Sequence, residues 1–250
     1  MLTQERQNAI LNAVESKGAV TVTELVELLN TSESTVRRDL TTLDKQGRLQ
    51  KVHGGATAIE NEFVSGEYDV HTKSQLCIEE KNAIARYAAT TIQDDDFVYI
   101  DAGTSTETLI GYIASTKATF VTNGIVHAKK LVARGLKTYV VGGLVKPVTE
   151  AIVGADGVNS MRKFNFTKAF LGTNGIHMDY GYTTVDMEEA VMKMEAVNRS
   201  YVSYILADHT KFDKVTAVTF APLDKCCIIT DTVVKKKYNE ATFIKEVFAQ

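Results

Sequence analysis

The run Asp101-Ala-Gly-Thr-Ser-Thr106 combines a carboxylate, a glycine and three hydroxyls. At a strand-to-helix junction such a run has a use. Gly103 lets the backbone approach a ligand, and the first amides of the helix, with the hydroxyls of Thr104, Ser105 and Thr106, cradle a phosphate. The same residues also make an ordinary N-cap with a turn glycine. The spacing of a Walker loop or of a dinucleotide fingerprint is missing, so nucleotide binding is weakly supported. Thr122-Asn123-Gly124, Gly142-Gly143 and Gly172-Thr-Asn174-Gly175 each follow a further apolar run. Each alone is a turn, but gathered at one edge of a parallel sheet they suit a small polar ligand. Glu189 and Lys193 stand at i, i+4, the spacing of a surface pair or of two groups aimed at one ligand. Asp208 and Lys211 follow another strand, where a lysine is either solvated or an ammonium partner for a phosphate or sugar oxygen.

A second candidate lies near the start, in Ser32-Glu-Ser-Thr-Val-Arg-Arg-Asp-Leu40. Val36, Leu40 and Leu43 share one helical face. That leaves Ser34, Thr35, Arg37, Arg38 and Thr41 outward, with Ser32 or Thr31 to cap the start. Guanidinium forks and small hydroxyls are the groups that hold phosphates and read guanine edges. With Ser32 at the helix start and Arg48, Lys51 and His53 close behind, these residues make up the candidate DNA-binding set. A solvated helix face has the same composition. Residues 1–57 carry seven Lys/Arg and seven Asp/Glu, so bulk charge does not argue for nucleic acid; from Glu33 to Thr57 the count is five basic to three acidic.

Other chemistry is thin. The five histidines and three cysteines have no metal-ligand spacing, and no nucleophile elbow is present. No cofactor or metal is expected. Three cysteines, two of them adjacent (Cys226 and Cys227), argue against a disulfide framework and fit a reducing cytoplasm. The first residues lack an apolar signal segment, and no run of about 18 apolar residues exists, so neither export nor a membrane partner is expected. With 250 residues, 44% of them hydrophobic and a net charge of −3, the chain can bury a sizeable core in one or two domains.

The elements that must position these residues fall into two patterns. A first helix spans about Thr3–Ser16, with Ile10, Ala13 and Val14 inward and Lys17-Gly18 as its stop. Thr21 and Glu24 have capping-box spacing for a second helix, whose stripe is read as Leu25, Leu28 and Leu29. After a polar break the third helix runs to Gly47, and His53-Gly54-Gly55 turns a small hairpin. Two short helices, a tight turn and a wing make a winged helix-turn-helix over residues 1–57. Residues 58–75 read as a linker. Residues 76–250 alternate apolar strands with amphipathic helices, which predicts an α/β domain with a mostly parallel sheet, closed by a helix over 238–250.

The N-terminal pattern resembles the DeoR family of bacterial transcriptional regulators. The family's pattern appears as Arg6, Ile10 and Val14, then Ser32, Thr35, Val36, Arg37, Arg38, Asp39 and Leu40, then Leu43, Gly47 and His53-Gly54-Gly55. Its later motifs appear in order as Asp101–Thr106, Thr122-Asn123, Gly142-Gly143, Phe170–Gly175, Glu188–Lys193 and Asp208–Phe212, so the resemblance covers almost the whole chain. It implies a sensor domain similar to ribose-5-phosphate isomerase-like folds and a phosphorylated sugar as effector. The loop at Asp101–Thr106, including Gly103, Thr104 and Ser105, would hold the phosphate. Thr122, Asn123, Gly172, Asn174, Gly175, Glu189, Lys193, Asp208 and Lys211 would complete the site. Asp39, beside two arginines, reads as a local tether for a guanidinium or a helix neighbour and not as a base reader. The expected function is a sequence-specific repressor of a sugar operon, a dimer or tetramer on double-stranded operator DNA, relieved or modulated by the sugar phosphate. The rival is an isomerase-like enzyme in which Glu189 abstracts a proton beside a carbonyl. Against it, Leu171-Gly172-Thr173-Asn174 stands where the isomerases carry an aspartate-rich strand end. A third possibility is a sensor half that only dimerises.

Overall fold

The computed structural model describes residues 3–45, 48–57, 62–64, 66, 70–233 and 235–247. The chain divides into two compact units, Met1–Glu62 and Phe63–Gln250.

In the first unit, α1 (Thr3–Lys17) buries Ile10 and Val14 and stops at Gly18. β1 (Ala19–Thr21) runs directly into α2 (Val22–Leu29). The Thr21 hydroxyl accepts the Glu24 amide at 3.2 Å while the Glu24 carboxylate accepts the Thr21 amide at 2.8 Å, a complete capping box. Asn30, left-handed at φ 47, ends α2. The buried stripe of α2 is Val22, Leu25 and Leu29; Leu28, expected inward, is 62% exposed. It sits about 100° round the helix from Leu29, and the stripe that closes the core runs at spacings of three and four through Leu25.

α3 (Glu33–Lys45) places Val36, Leu40 and Leu43 in the core with Leu25 and Leu49. Gly47, expected to stop it, lies outside the described residues. β2 (Gln50–Val52) and β3 (Gly55–Thr57) pair antiparallel around His53-Gly54, and β3 also pairs β1. Gly54 takes φ +84 in that tight turn, a conformation that costs glycine little. Winged helix-turn-helix is therefore the form of this unit.

Next come β4 (Glu62–Phe63), α4 (Val70–Gln75) and α5 (Ile78–Thr90). Two strand-helix-strand repeats follow, β5 (Phe97–Ile100), α6 (Thr104–Tyr112), β6 (Thr119–Thr122), α7 (Ile125–Ala133) and β7 (Lys137–Val140). The hairpin β8 (Leu144–Val145) and β9 (Ile152–Val153) leads through α8 (Ala155–Met161) to β10 (Phe166–Leu171). β11 (Gly175–His177), β12 (Gly181–Thr184) and α9 (Met187–Asn198) precede β13 (Ser200–Leu206). A short turn at His209–Lys211, β14 (Lys214–Val215), β15 (Val218–Ala221), β16 (Cys227–Thr230), α10 (Tyr238–Ala241) and β17 (Ile244–Glu246) complete the described residues.

Seven parallel strands form the main sheet in the order β17-β16-β13-β10-β5-β6-β7. Neighbours on β5 serve opposite faces. Tyr99 joins the core under α8 and α9, while Val98 and Ile100 join the core under α5, α6 and α7. Burial on both faces is why the strands read as unbroken apolar runs. From β5 the chain winds outward through β6 and β7, and from β10 it winds the other way. The order therefore reverses between β5 and β10, and a crevice opens beyond their carboxyl ends.

The expected closing helix is corrected. Among the described residues of this stretch only α10 is helical; Thr242 is extended and β17 adds parallel to β16, with Ile244 opposite Ile228. Ile228 donates its N–H to Phe243 at 2.9 Å and Val247 donates to Thr230 at 2.7 Å. The open edge of β16 supplied ladder partners that helical spacing could not show. Among the described residues no helix is long and apolar enough to cross a membrane.

Candidate functional site

The crevice at the β5–β10 reversal holds a cavity of about 330 Å³, within the range of small-ligand sites. Gly103, Thr104 and Ser105 line it from the start of α6, and Gly172 and Asn174 from the end of β10. Glu189 and Lys193 of α9 line it too, as do Asp208 and Lys211 past β13. The loops reach one place because each follows a strand of the same parallel sheet.

Several expected ligand groups instead hold this frame together. Asp101 is 2% exposed, accepts the Gly172 amide at 3.2 Å and receives the Lys193 ammonium, which also donates to the Gly172 carbonyl at 3.1 Å. It thus ties the end of β5 to the end of β10. Burial raises the Asp101 carboxyl above its ordinary range, and Lys193 opposes the rise. Thr106 is turned inward, donating to the Asp101 carbonyl at 2.6 Å with His127 Nε2 at 3.2 Å. Asn123 accepts the Ala102 amide at 2.8 Å and donates to Ile152 at 3.3 Å, while Thr122 accepts the Gly124 amide at 3.0 Å. Gly175 is needed for close packing: a Cβ there would stand 2.4 Å from the Lys214 carbonyl. None of Asp101, Thr106, Thr122, Asn123 or Gly175 lines the cavity.

Glu189 and Lys193 do not pair with each other. Glu189 accepts from Lys146 and from the Thr149 hydroxyl, both at 3.0 Å. Asp186 caps α9 by accepting the Glu189 amide at 2.9 Å and reaches Lys146 at 3.0 Å. Asp208 accepts the amide and hydroxyl of Thr210, with Lys211 Nζ at 3.9 Å. Burial pushes the Asp208 carboxyl up, but Lys211, the Thr210 hydrogen bonds and Lys81 together hold it below its ordinary value. Asn174 accepts from the Thr184 hydroxyl at 3.0 Å.

Four residues here escaped the sequence reading. His127 braces Gly103 and is driven down to about 4 by burial, so it is neutral near pH 7. Lys146 and Thr149 hold Glu189 across 43 and 40 residues of chain, a separation that no local pattern reports. Lys81 shares the buried stripe of α5 with Ile84, Ala85 and Ala88. A lysine at an apolar position of the period was the signal available. Glu80, His209 and Asp231 also converge, with His209 Nδ1 2.7 Å from Asp231.

In the winged helix-turn-helix, Ser32 starts α3: its hydroxyl accepts the Thr35 amide at 3.3 Å and meets the hydroxyls of Ser34 and Thr35. Arg37 is exposed and tied to Glu33 at 2.6 Å; Arg38 is exposed, and among the described residues no side-chain partner engages it. Thr41 accepts from the Lys51 ammonium at 2.7 Å, linking α3 to the wing, where Arg48 and His53 are exposed. Asp39 is buried and holds Arg6 of α1 through two hydrogen bonds, at 2.5 and 3.2 Å. The tether expected of Asp39 thus holds a guanidinium, that of Arg6 on another helix.

A winged helix-turn-helix on one chain with a parallel α/β unit, whose cavity lies at the strand reversal, is the architecture of a ligand-responsive DNA-binding regulator. The DeoR-like helix-turn-helix domain matches residues 6–62, and the DeoR C terminal sensor domain matches residues 76–232. The uncharacterized HTH-type transcriptional regulator FruR of Bacillus subtilis is 39% identical over 99% of both chains. The HTH-type transcriptional regulator IolR of the same organism is 34% identical, covering 96% of this chain and 94% of its own. The lactose phosphotransferase system repressor of Staphylococcus aureus is 34% identical over 88% of both. The chain belongs to the DeoR family of transcriptional regulators. Ribose 5-phosphate isomerase A of Methanocaldococcus jannaschii aligns over 53% of both chains at TM-score 0.39 and 9% identity, and the fold assignment rests on the strand order above.

Proposed function

We propose that this protein represses a sugar-utilisation operon and that a phosphorylated sugar in the β5–β10 cavity controls its hold on double-stranded operator DNA. In this reading residues 1–57 are the DNA-binding head, 58–75 the linker and 76–250 the sensor. The supporting observation is the lining of one cavity by the Gly103–Ser105 loop at a helix start and by Lys211. Amides, hydroxyls and a cation are the groups that bind a phosphate, while Asn174 and Glu189 offer partners for sugar hydroxyls. Asp101, Thr106, Thr122, Asn123 and Gly175 serve the site as its frame.

On the DNA side, α3 enters the major groove, with Ser34, Thr35, Arg37, Arg38 and Thr41 on or beside the reading face and Arg48, Lys51 and His53 on the wing. Ser32 caps the helix. Two heads reading two half-sites require a homo-oligomer, a dimer or a tetramer, acting in the cytoplasm. The effector acts by preferring one arrangement of the heads.

The relatives' names are those of regulators, and the disposition of groups favours the same role here over turnover. Glu189 is engaged by Lys146 and Thr149, and Lys193 by Asp101. A proton abstractor needs a carboxylate free to face the substrate. The test is direct. Ribose 5-phosphate incubated with the purified protein is expected to isomerise at the background rate, while at least one sugar phosphate shifts the melting temperature. Turnover well above background contradicts the regulator reading.

A further inference from the structure

Lys81 is 6% exposed, yet it lines the effector cavity. It sits on the first turn of α5, in a stripe otherwise made of Ile84, Ala85 and Ala88. An ammonium has three donors, and a buried one is costly unless they are used. Among the described residues its only hydrogen-bond acceptor is the Lys73 carbonyl, in the last turn of α4. The Leu76 amide uses the same carbonyl, at 3.3 Å. Asp208 is the carboxylate that attracts Lys81, but Lys211 shares it and repels Lys81. Lys81 and Lys211 thus share one carboxylate, Asp208, and Lys73, which also lines the cavity, is a further cation that repels Lys81; the excess of positive charge here suits an added anion.

The segment that Lys81 holds is the other half of the matter. Val64, Gly66, Val70 and Lys73 line the same cavity and belong to the stretch read as the linker. Val64 is fixed to the sensor body by its N–H bond to Val215 at 2.9 Å. α4, only six residues long and without a fully buried residue, is held more lightly.

We propose that Lys81 is an anion ligand of the effector and also the latch that holds α4 against the sensor body, so that a phosphate drawing on its ammonium loosens the Lys73 contact. The proposal rests on the reading of the cavity as a sugar-phosphate site. It gives the effector a route to the linker that passes through one side chain.

The test uses the full chain as wild type, Lys81→Gln and Lys81→Arg. Each is titrated calorimetrically with ribose 5-phosphate, fructose 1-phosphate, fructose 6-phosphate and unphosphorylated fructose. Deuterium exchange of residues 70–76 is followed in parallel, and circular dichroism melting verifies cooperative unfolding. The expected result is that wild type binds a phosphosugar in preference to fructose and exchanges faster at 70–76 when it does. Lys81→Gln should bind that phosphosugar at least tenfold more weakly and exchange fast even without it, with Lys81→Arg restoring part of both. Wild-type binding that survives unchanged in Lys81→Gln overturns the latch and leaves the cavity reading standing. Failure of every phosphosugar to bind wild type overturns the cavity reading, and the latch with it.

Discussion

The two units use charged residues in opposite ways. In the winged helix-turn-helix, Arg37, Arg38, Arg48 and Lys51 carry exposed side chains, and Asp39, a buried carboxylate, braces α3 to α1 through Arg6. In the sensor, Asp101, Lys193, Asp208, Glu189 and Lys81 are all buried, and each is engaged by a named partner. A surface that meets a polyanion needs charges in water, where counterion release rewards the encounter. A cavity that selects a small polar molecule needs charges fixed in advance, with their desolvation offset by one another. The difference predicts that loss of a paired buried strut such as Asp101 acts first on stability, while loss of a charge on the α3 face acts on DNA affinity.

The largest break in that pattern should come from Asp101→Ala. It strands the Lys193 ammonium in the interior, and removing one partner of a buried pair costs about 3–5 kcal/mol. Urea unfolding of the full chain reads the loss; a cost below about 1 kcal/mol would mean that the pair is not desolvated.

Next comes acid. His127 is lowered from 6.5 to about 4. Because the unfolded chain takes the proton first, its contribution is whole above the ordinary value, shrinks as pH falls and is gone by about pH 4. The size is about 3 kcal/mol. Unfolding free energies of wild type and His127→Gln, compared between pH 7 and 4.5, should converge as pH falls. Parallel curves would contradict the assignment.

The α3 face gives smaller effects. Arg38→Ala should weaken operator binding by about 1–3 kcal/mol. Arg37→Ala should cost less, because Glu33 already takes part of its charge. Both variants should melt like wild type. Equal losses for the two, measured by fluorescence anisotropy, would erase the distinction. Smallest is Thr21→Ala, which removes the cap of α2 and should lower the stability of the head by about 1 kcal/mol with no change in the sensor.

What was legible in the sequence was local. The period of Val36, Leu40 and Leu43 gave α3, the Thr21–Glu24 spacing gave the start of α2, and the alternation after residue 76 gave the parallel sheet. The loops were legible as motifs, and Gly103, Gly172, Asn174 and Lys211 line the cavity. What local pattern lacked was partnership. Asp101 and Lys193 lie 92 residues apart, and so nothing near Asp101 marked it as a strut rather than a ligand. Lys146 and Thr149 carried no motif at all. β17 is not legible locally, because its identity comes from the edge of β16 and not from its own residues.

The account stands or falls on the coupling of the two units. Selection of duplexes from a random library by the full chain, followed by titration of the enriched duplex with the phosphosugar panel, measures it directly. The expected outcome is a motif with two related half-sites whose affinity one phosphosugar changes tenfold or more and the free sugar leaves alone. An enriched duplex whose affinity no phosphosugar changes would contradict the account.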